Sequence, residues 1–183
     1  REFDLRCASL PTTAGERLVM TLSELSLRAP SLAELGAPGE LAGLFARLIG
    51  AGGLVLAGPS SGGRALGLMR ALLLEAHPER RVVIAITAER APLPQGTVQV
   101  RPNSEAGLDI SSALFAVSRQ DPDAVLVDHL RDFAALERLL HLAGSGSVVL
   151  AGLPVEDPAG AVERILEMGA EASAVAESLG LLV

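Results

Sequence analysis

The chain has 183 residues, 49% of them hydrophobic and only 2% aromatic, and its 22 acidic residues outweigh 15 basic ones, all arginine, for a net charge of −7. That balance argues against a nucleic-acid or anionic-lipid partner, and no apolar run approaches the ~20 residues of a membrane-spanning helix. A single cysteine, Cys7, excludes an internal disulfide and a cysteine-based zinc site, and His77, His129 and His141 lack metal-site spacing.

From Phe3 to Leu22 the pattern predicts two strands around a turn. Phe3, Leu5 and Cys7 alternate with Asp4 and Arg6, Pro11 to Gly15 breaks the run, and Arg17 to Leu22 resumes it. So small a hairpin needs a partner surface to be stable, and residues 1–22 are expected to be the end of a preceding domain. Arg1 rather than Met stands first, so a larger part is expected before it. Residues 23–39, rich in Pro, Gly and Ser, read as a connector, within which Ser31 to Gly36 has the form of a short capped helix.

Residues 40–183 read as the main domain. Leu41, Leu44, Phe45 and Leu48 form an i, i+3, i+4, i+7 stripe on a helix from Glu40 to Ile49. Strand-like Gly53 to Ala57 then precedes a glycine-rich loop and a helix from Leu66 to Ala76. A buried strand is expected over Arg81 to Thr87, a shorter edge strand over Thr97 to Val100 and a helix over Leu108 to Arg119. Then come strand Ala124 to Val127, helix Phe133 to Ala143, strand Ser147 to Ala151, and helices Ala159 to Met168 and Ala172 to Leu179. Alternating strands and helices with a Leu, Val, Ile and Ala core predict an α/β fold. Its sheet is mostly parallel and covered by helices on both faces. Met20, Met69 and Met168 are expected to fill the core.

The loop carries the chemistry. Gly58-Pro59-Ser60-Ser61-Gly62-Gly63-Arg64-Ala65 has the frame of the phosphate-binding G-x-x-x-x-G-K-[ST] loop, with Gly58 and Gly63 at the right spacing. The Lys position holds Arg64 and the hydroxyl position holds Ala65. Backbone N–H groups from Ser60 to Gly63 and the following helix N-terminus can still form an anion nest. The competing reading is an empty turn in which Arg64 pairs with Asp128 or Glu89.

Several stretches, in order, resemble the motor ATPases of bacterial type II secretion and type IV pili, the secretion-ATPase branch of the RecA-like P-loop fold. Asp4-Leu5-Arg6-Cys7-Ala8-Ser9-Leu10-Pro11-Thr12 with Gly15-Glu16 and Val19-Met20 is similar to that family's "DLRVSxLPT…GEkvVMR". Gly53 to Ala65 resembles "GLVLVTGPTGSGKST". Arg119-Gln120-Asp121-Pro122-Asp123-Ala124-Val125-Leu126-Val127, completed by Arg131-Asp132, resembles "RQDPDvilVGEIRD". Gly146 to Ala151 resembles the start of "GHLVLATLHTNDA", and Arg164 to Gly169 the "RLidMG" end. The resemblance covers nearly the whole chain and implies a RecA-like P-loop domain over residues 40–183.

The departures fall where that family's chemistry resides. Besides Arg64 and Ala65, Ser61-Gly62 reverses the family's Gly-Ser, and the Walker B "GE" is Asp128-His129. The aspartate box keeps Glu89 but has Arg90 for its Asp, and the histidine box has Pro154 for its His. Among the arginines that reach the γ-phosphate in this family, Arg6 and Arg17 stand at matching or nearby places, while the Arg after Met is Thr21. Asp128 and His129, with Glu89, read as strand-end residues rather than a new acid/base set, and Arg119 to Asp123 with Arg131-Asp132 as scaffold.

Hydrolysis needs magnesium oxygen ligands, a cation on the β- and γ-phosphates, and an oriented water. With these positions changed together, the resemblance implies a catalytically inactive member with no required cofactor. Such a member would act as a protein-binding, structural or regulatory component of a type II secretion or type IV pilus system. Its expected partners are a pilus or secretion motor ATPase or associated machinery. It would be cytoplasmic in a bacterium, peripheral at an inner-membrane machine, and a monomer or weak oligomer in isolation. The alternative is a weak or non-hydrolysing member that binds ATP and magnesium through Gly58, Ser60, Ser61, Gly62, Gly63, Arg64 and Ala65.

Overall fold

Successive residues of the inner strands are apolar because the helices cover both faces of the sheet. The computed structural model describes residues 2–25, 28–49, 51–58, 64–76, 79–88, 92–103 and 107–182. Strands β3 (Gly53–Ala57), β4 (Val83–Ile86), β5 (Val98–Val100), β6 (Ala124–Val127), β7 (Val148–Gly152) and β8 (Leu179–Leu182) form one sheet in the order β5-β4-β6-β7-β3-β8. Every pairing in it is parallel. The mostly parallel, doubly covered sheet expected from the sequence is therefore present, with β5 at an edge.

Alternation divides each strand between two cores. Leu54, Leu56, Ile84, Ile86, Val125, Val127, Val149 and Ala151 face helices α3 (Ile110–Ser118), α4 (Phe133–Gly144), α5 (Pro158–Glu167) and α6 (Ala172–Ser178). Val55, Ala57, Val83, Ala85, Ala124, Leu126, Val148 and Leu150 face α1 (Gly39–Leu48) and α2 (Arg64–Glu75). Carboxylates cap three of these helices. Asp109, Asp132 and Asp157 accept hydrogen bonds from Ser112 N, Ala135 N and Gly160 N at 2.6, 2.8 and 2.7 Å.

Four local expectations need correction. The last helix stops at Ser178, and Leu179 to Leu182 forms β8 beside β3, where extended backbone pairs a short leucine run with the sheet. In the α1 stripe Leu41 and Phe45 are buried, but Leu44 is 44% exposed. Met69 is fully buried, yet Met20 is 62% exposed and so is no core residue. The hairpin strands β1 (Glu2–Thr12) and β2 (Gly15–Leu25) are longer than expected, and β2 runs three residues past Leu22.

The β1–β2 ribbon is a separate two-stranded sheet. Its register pairs Leu5 with Leu22, Cys7 with Met20 and Ser9 with Leu18, which gathers apolar residues on one side, and Phe3, Leu5, Leu18, Met20 and Leu22 are all exposed.

The segment leading to α1 is held by a single capped turn. Ser31 Oγ accepts from Glu34 N at 3.2 Å, and the Glu34 carboxylate accepts from Ser31 N at 2.8 Å, a reciprocal capping box. Gly36, at φ +69°, closes the turn through Gly36 N to Ala33 O and Ala37 N to Leu32 O, the left-handed helix end that favours glycine. Arg28 Nη1 and Nη2 both donate to the Glu34 carboxylate. The Arg28 hydrogen bond, and then the Ser31 N–H, lower the Glu34 pKa to about 2.

At the carboxyl edge of the sheet, β6 and β7 come close enough that a Cβ on Gly152 would collide with the Asp128 carbonyl oxygen. Gly152→Ala should therefore destabilise the fold by roughly 3 kcal/mol, the upper end for overpacking, measurable by urea unfolding. Because the folded pKa of Glu34 lies below its ordinary 4.5, its contribution is complete above that value and fades as pH falls toward 2. The melting temperature of Glu34→Gln should lie below that of the parent at neutral pH, and the gap should close over that acid range.

Candidate functional site

In an open parallel sheet, ligands bind beyond the carboxyl ends of the strands. Here those ends bring together Gly58 after β3, Thr87 after β4, Asp128 after β6 and Leu153 after β7. Leu153 N donates to Ala57 O at 3.0 Å, which carries the segment after β7 across the end of β3. A Cβ on Gly58 would stand 2.6 Å from Val155 Cγ2, so only glycine lets this segment cross so closely.

The strand–loop–helix frame is in place: β3 ends at Ala57, Gly58 follows, and α2 begins at Arg64. Ser60, Ser61, Gly62, Gly63 and Glu89 lie outside the described residues, as does the Arg64 side chain. Ala65 is buried in the first turn of α2, presenting a methyl where the loop pattern calls for a hydroxyl.

Asp128 is 4% exposed and acts as a tie. Its Oδ2 accepts from Ala88 N at 2.8 Å, and its own N–H donates to Ile86 O at 3.2 Å. Both bonds fasten the end of β6 to the outgoing end of β4. Beside them the buried Thr87 hydroxyl accepts from Gln99 Nε2 on β5 at 2.6 Å. His129, next after Asp128, is half-buried.

The expected alternatives for a cation beside Asp128 did not include Arg70. Helix α2 lies over β3, β6 and β7, and Arg70 is the one charged residue between Ala65 and Leu74. Its Nε is buried without a hydrogen-bond partner among the described residues. Burial lowers the Arg70 pKa, and the attraction of Asp128 opposes that shift. A lone charge inside an apolar helix was the available signal for this residue.

Arg6 and Arg17 stand in the ribbon, outside the six-stranded sheet. The register places positions 6 and 17 on the same ribbon side, and Arg17 is exposed. The stretch from Arg119 to Asp123 braces the opposite end of the sheet. Val82 N donates to Asp123 Oδ2 at 2.8 Å, Val148 N donates to Asp123 O at 2.9 Å, and Ser147 Oγ donates to Pro122 O at 2.8 Å. Asp123 thus fixes the starts of β4 and β7 beside β6, as a scaffold residue should.

A family model described as "Type II/IV secretion system protein" matches residues 1–183. The type II secretion system protein HxcR of Pseudomonas aeruginosa is 34% identical over 186 residues, an alignment covering 100% of this chain and 39% of the relative. The type IV pilus assembly ATPase PilB of Thermus thermophilus is 33% identical over 173 residues, 93% of this chain and 19% of that one. The chain thus spans less than half the length of these two relatives. Among solved structures, the pilus retraction motor PilT with bound ADP matches with a TM-score of 0.70 at 20% identity, over 96% of this chain and 56% of that chain. The ATPase DotB of Legionella pneumophila matches with a TM-score of 0.72 at 14% identity, over 97% and 51%. These two likenesses show the RecA-like P-loop fold.

Asp128→Ala removes the acceptor for Ala88 N and the anion whose charge acts on Arg70. It should cost about 2 kcal/mol in denaturant unfolding, within the range for a lost charged acceptor. Adding Arg70→Met should recover part of that loss, and strict additivity in the double-mutant cycle would show that the two residues do not interact.

Proposed function

The chain belongs to the type II/IV secretion system protein family, and from that premise we propose that it serves a secretion or pilus machine as a binding and regulatory domain that does not turn over ATP. The observation that carries this reading is Asp128, the buried acidic group nearest the family's Walker B position. Its carboxylate accepts from Ala88 N, and its charge acts on the part-buried Arg70 of α2. A carboxylate so placed is poorly available to a magnesium ion or to a water.

The neighbouring positions support the same reading. Magnesium prefers near-octahedral oxygen coordination, and the buried Ala65 has no oxygen to give. His129 offers nitrogen instead. These residues do not fit the ion. Arg64 keeps a positive charge, but a planar guanidinium does not replace a compact ammonium at a crowded phosphate. Loss of one such electrostatic contact lowers rates by about 10²–10³, and several are changed here together.

On this reading the partners are proteins: a motor ATPase of the same family or a component associated with it. The domain works on the cytoplasmic side, peripheral to an inner-membrane machine, and is a monomer or weak oligomer when isolated. Among the described residues no helix is long and apolar enough to cross a membrane. A second reading, nucleotide binding without hydrolysis, draws support from the retained frame of β3, Gly58 and α2.

Calorimetric titration with ATP and magnesium, run beside a phosphate-release assay, separates these readings. The expected results are a flat titration and release at the buffer rate. Saturable binding without release favours the second reading, with ligand at about 100 times its Kd adding roughly 2.7 kcal/mol of stability. Magnesium-dependent release that disappears in Arg64→Ala would overturn the proposal.

A further inference from the structure

The outer surface of α3 and α4 carries an exposed aromatic ring between two arginines. Phe115 is 46% exposed. The guanidinium carbon of Arg119, the residue that caps α3, lies 4.6 Å from the ring centroid, and that of Arg138 on α4 lies 5.1 Å from it. Arg138 Nε donates to Ser111 Oγ at 3.3 Å, which fixes the direction of that side chain. Asp109 feels the Arg138 charge, but its Oδ1 is already engaged by Ser112 N. Among the described residues no carboxylate forms a salt bridge with either arginine.

Two like charges gathered on one ring repel each other, and the ring's negative face offsets that repulsion only in part. An anion placed against both guanidinium edges would relieve it through charge-assisted forks. The two arginines sit on a chain whose net charge is −7. From these observations we infer that Phe115, Arg119 and Arg138 form a docking surface for a short acidic segment of a partner protein. The segment's carboxylates meet the two guanidiniums, and an apolar side chain beside them covers the open part of the ring. Interfaces enriched in aromatic residues and arginine have this composition. A membrane or a nucleic acid fits less well. Two cations offer little to a polyanion, and the surplus of carboxylates on the rest of the chain repels one. The inference does not depend on whether the nucleotide site works.

The test uses the 183-residue chain and a fluorescein-labelled octapeptide of alternating Glu and Leu, with an alternating Gln and Leu octapeptide as control. In fluorescence anisotropy at low salt, the acidic peptide should bind saturably and the control about tenfold more weakly, as expected when charge-assisted bonds are lost. Raising salt to about 0.15 M should weaken the acidic peptide further. Arg119→Gln and Arg138→Gln should each lower its affinity severalfold, and the double variant should abolish binding while keeping the parent's circular dichroism and melting temperature. The chain has only four phenylalanines, so ring-labelled NMR spectra of the parent give a readout that needs no variant. Peptide addition should shift the Phe115 signals and leave those of buried Phe45 unmoved. Equal binding of both peptides, an unchanged double variant or no shift at Phe115 would overturn the inference. So would capture by phosphatidylserine vesicles, dependent on the two arginines, without any peptide binding.

Discussion

Burial on both faces of a parallel sheet is the constraint from which the rest follows. Each inner strand gives alternate side chains to two separate helical layers, so neither face has room for an unpaired polar group. Polar chemistry is driven to the strand ends. At the amino ends Asp123 and Ser147 complete backbone hydrogen bonds where the ladders begin. At the carboxyl ends stand Gly58, Thr87 and Asp128, and Gly152 passes close to the Asp128 carbonyl.

That crowding bears on the site's electrostatics. The buried Asp128 carboxylate accepts from the Ala88 N–H, and its charge opposes the effect of burial on Arg70.

Much of this architecture was legible in the residue order. Runs such as Gly53 to Ala57 and Ala124 to Val127 are short, apolar and bounded by Gly, Pro or Asp, and the intervening segments repeat with helical spacing. The strand-end placement of Asp128 also followed from that pattern. Other features depended on long-range geometry. Leu179 to Leu182 is too short to show any period, and only pairing with β3 makes it a strand. Met20 sits among apolar neighbours in sequence, but the ribbon offers them no second layer, so proximity did not become burial. Arg70 was not singled out because Asp128, whose charge acts on it, lies a whole crossover away in the chain.

The order of the strands also bears on how the chain acquires its structure. β3, the first strand of the sheet to be synthesised, has as neighbours only β7 and β8, the last two, with Gly53 meeting Val148 and Leu54 meeting Leu179. The segment that leads into the glycine loop must therefore wait, unpaired and apolar, until the far end of the domain emerges. Such distant closure slows folding and leaves an interval open to misassociation. The end of β3, where Gly58 stands, is thus among the last parts of the sheet to be secured, after the β4–β6 half has had its chance to form.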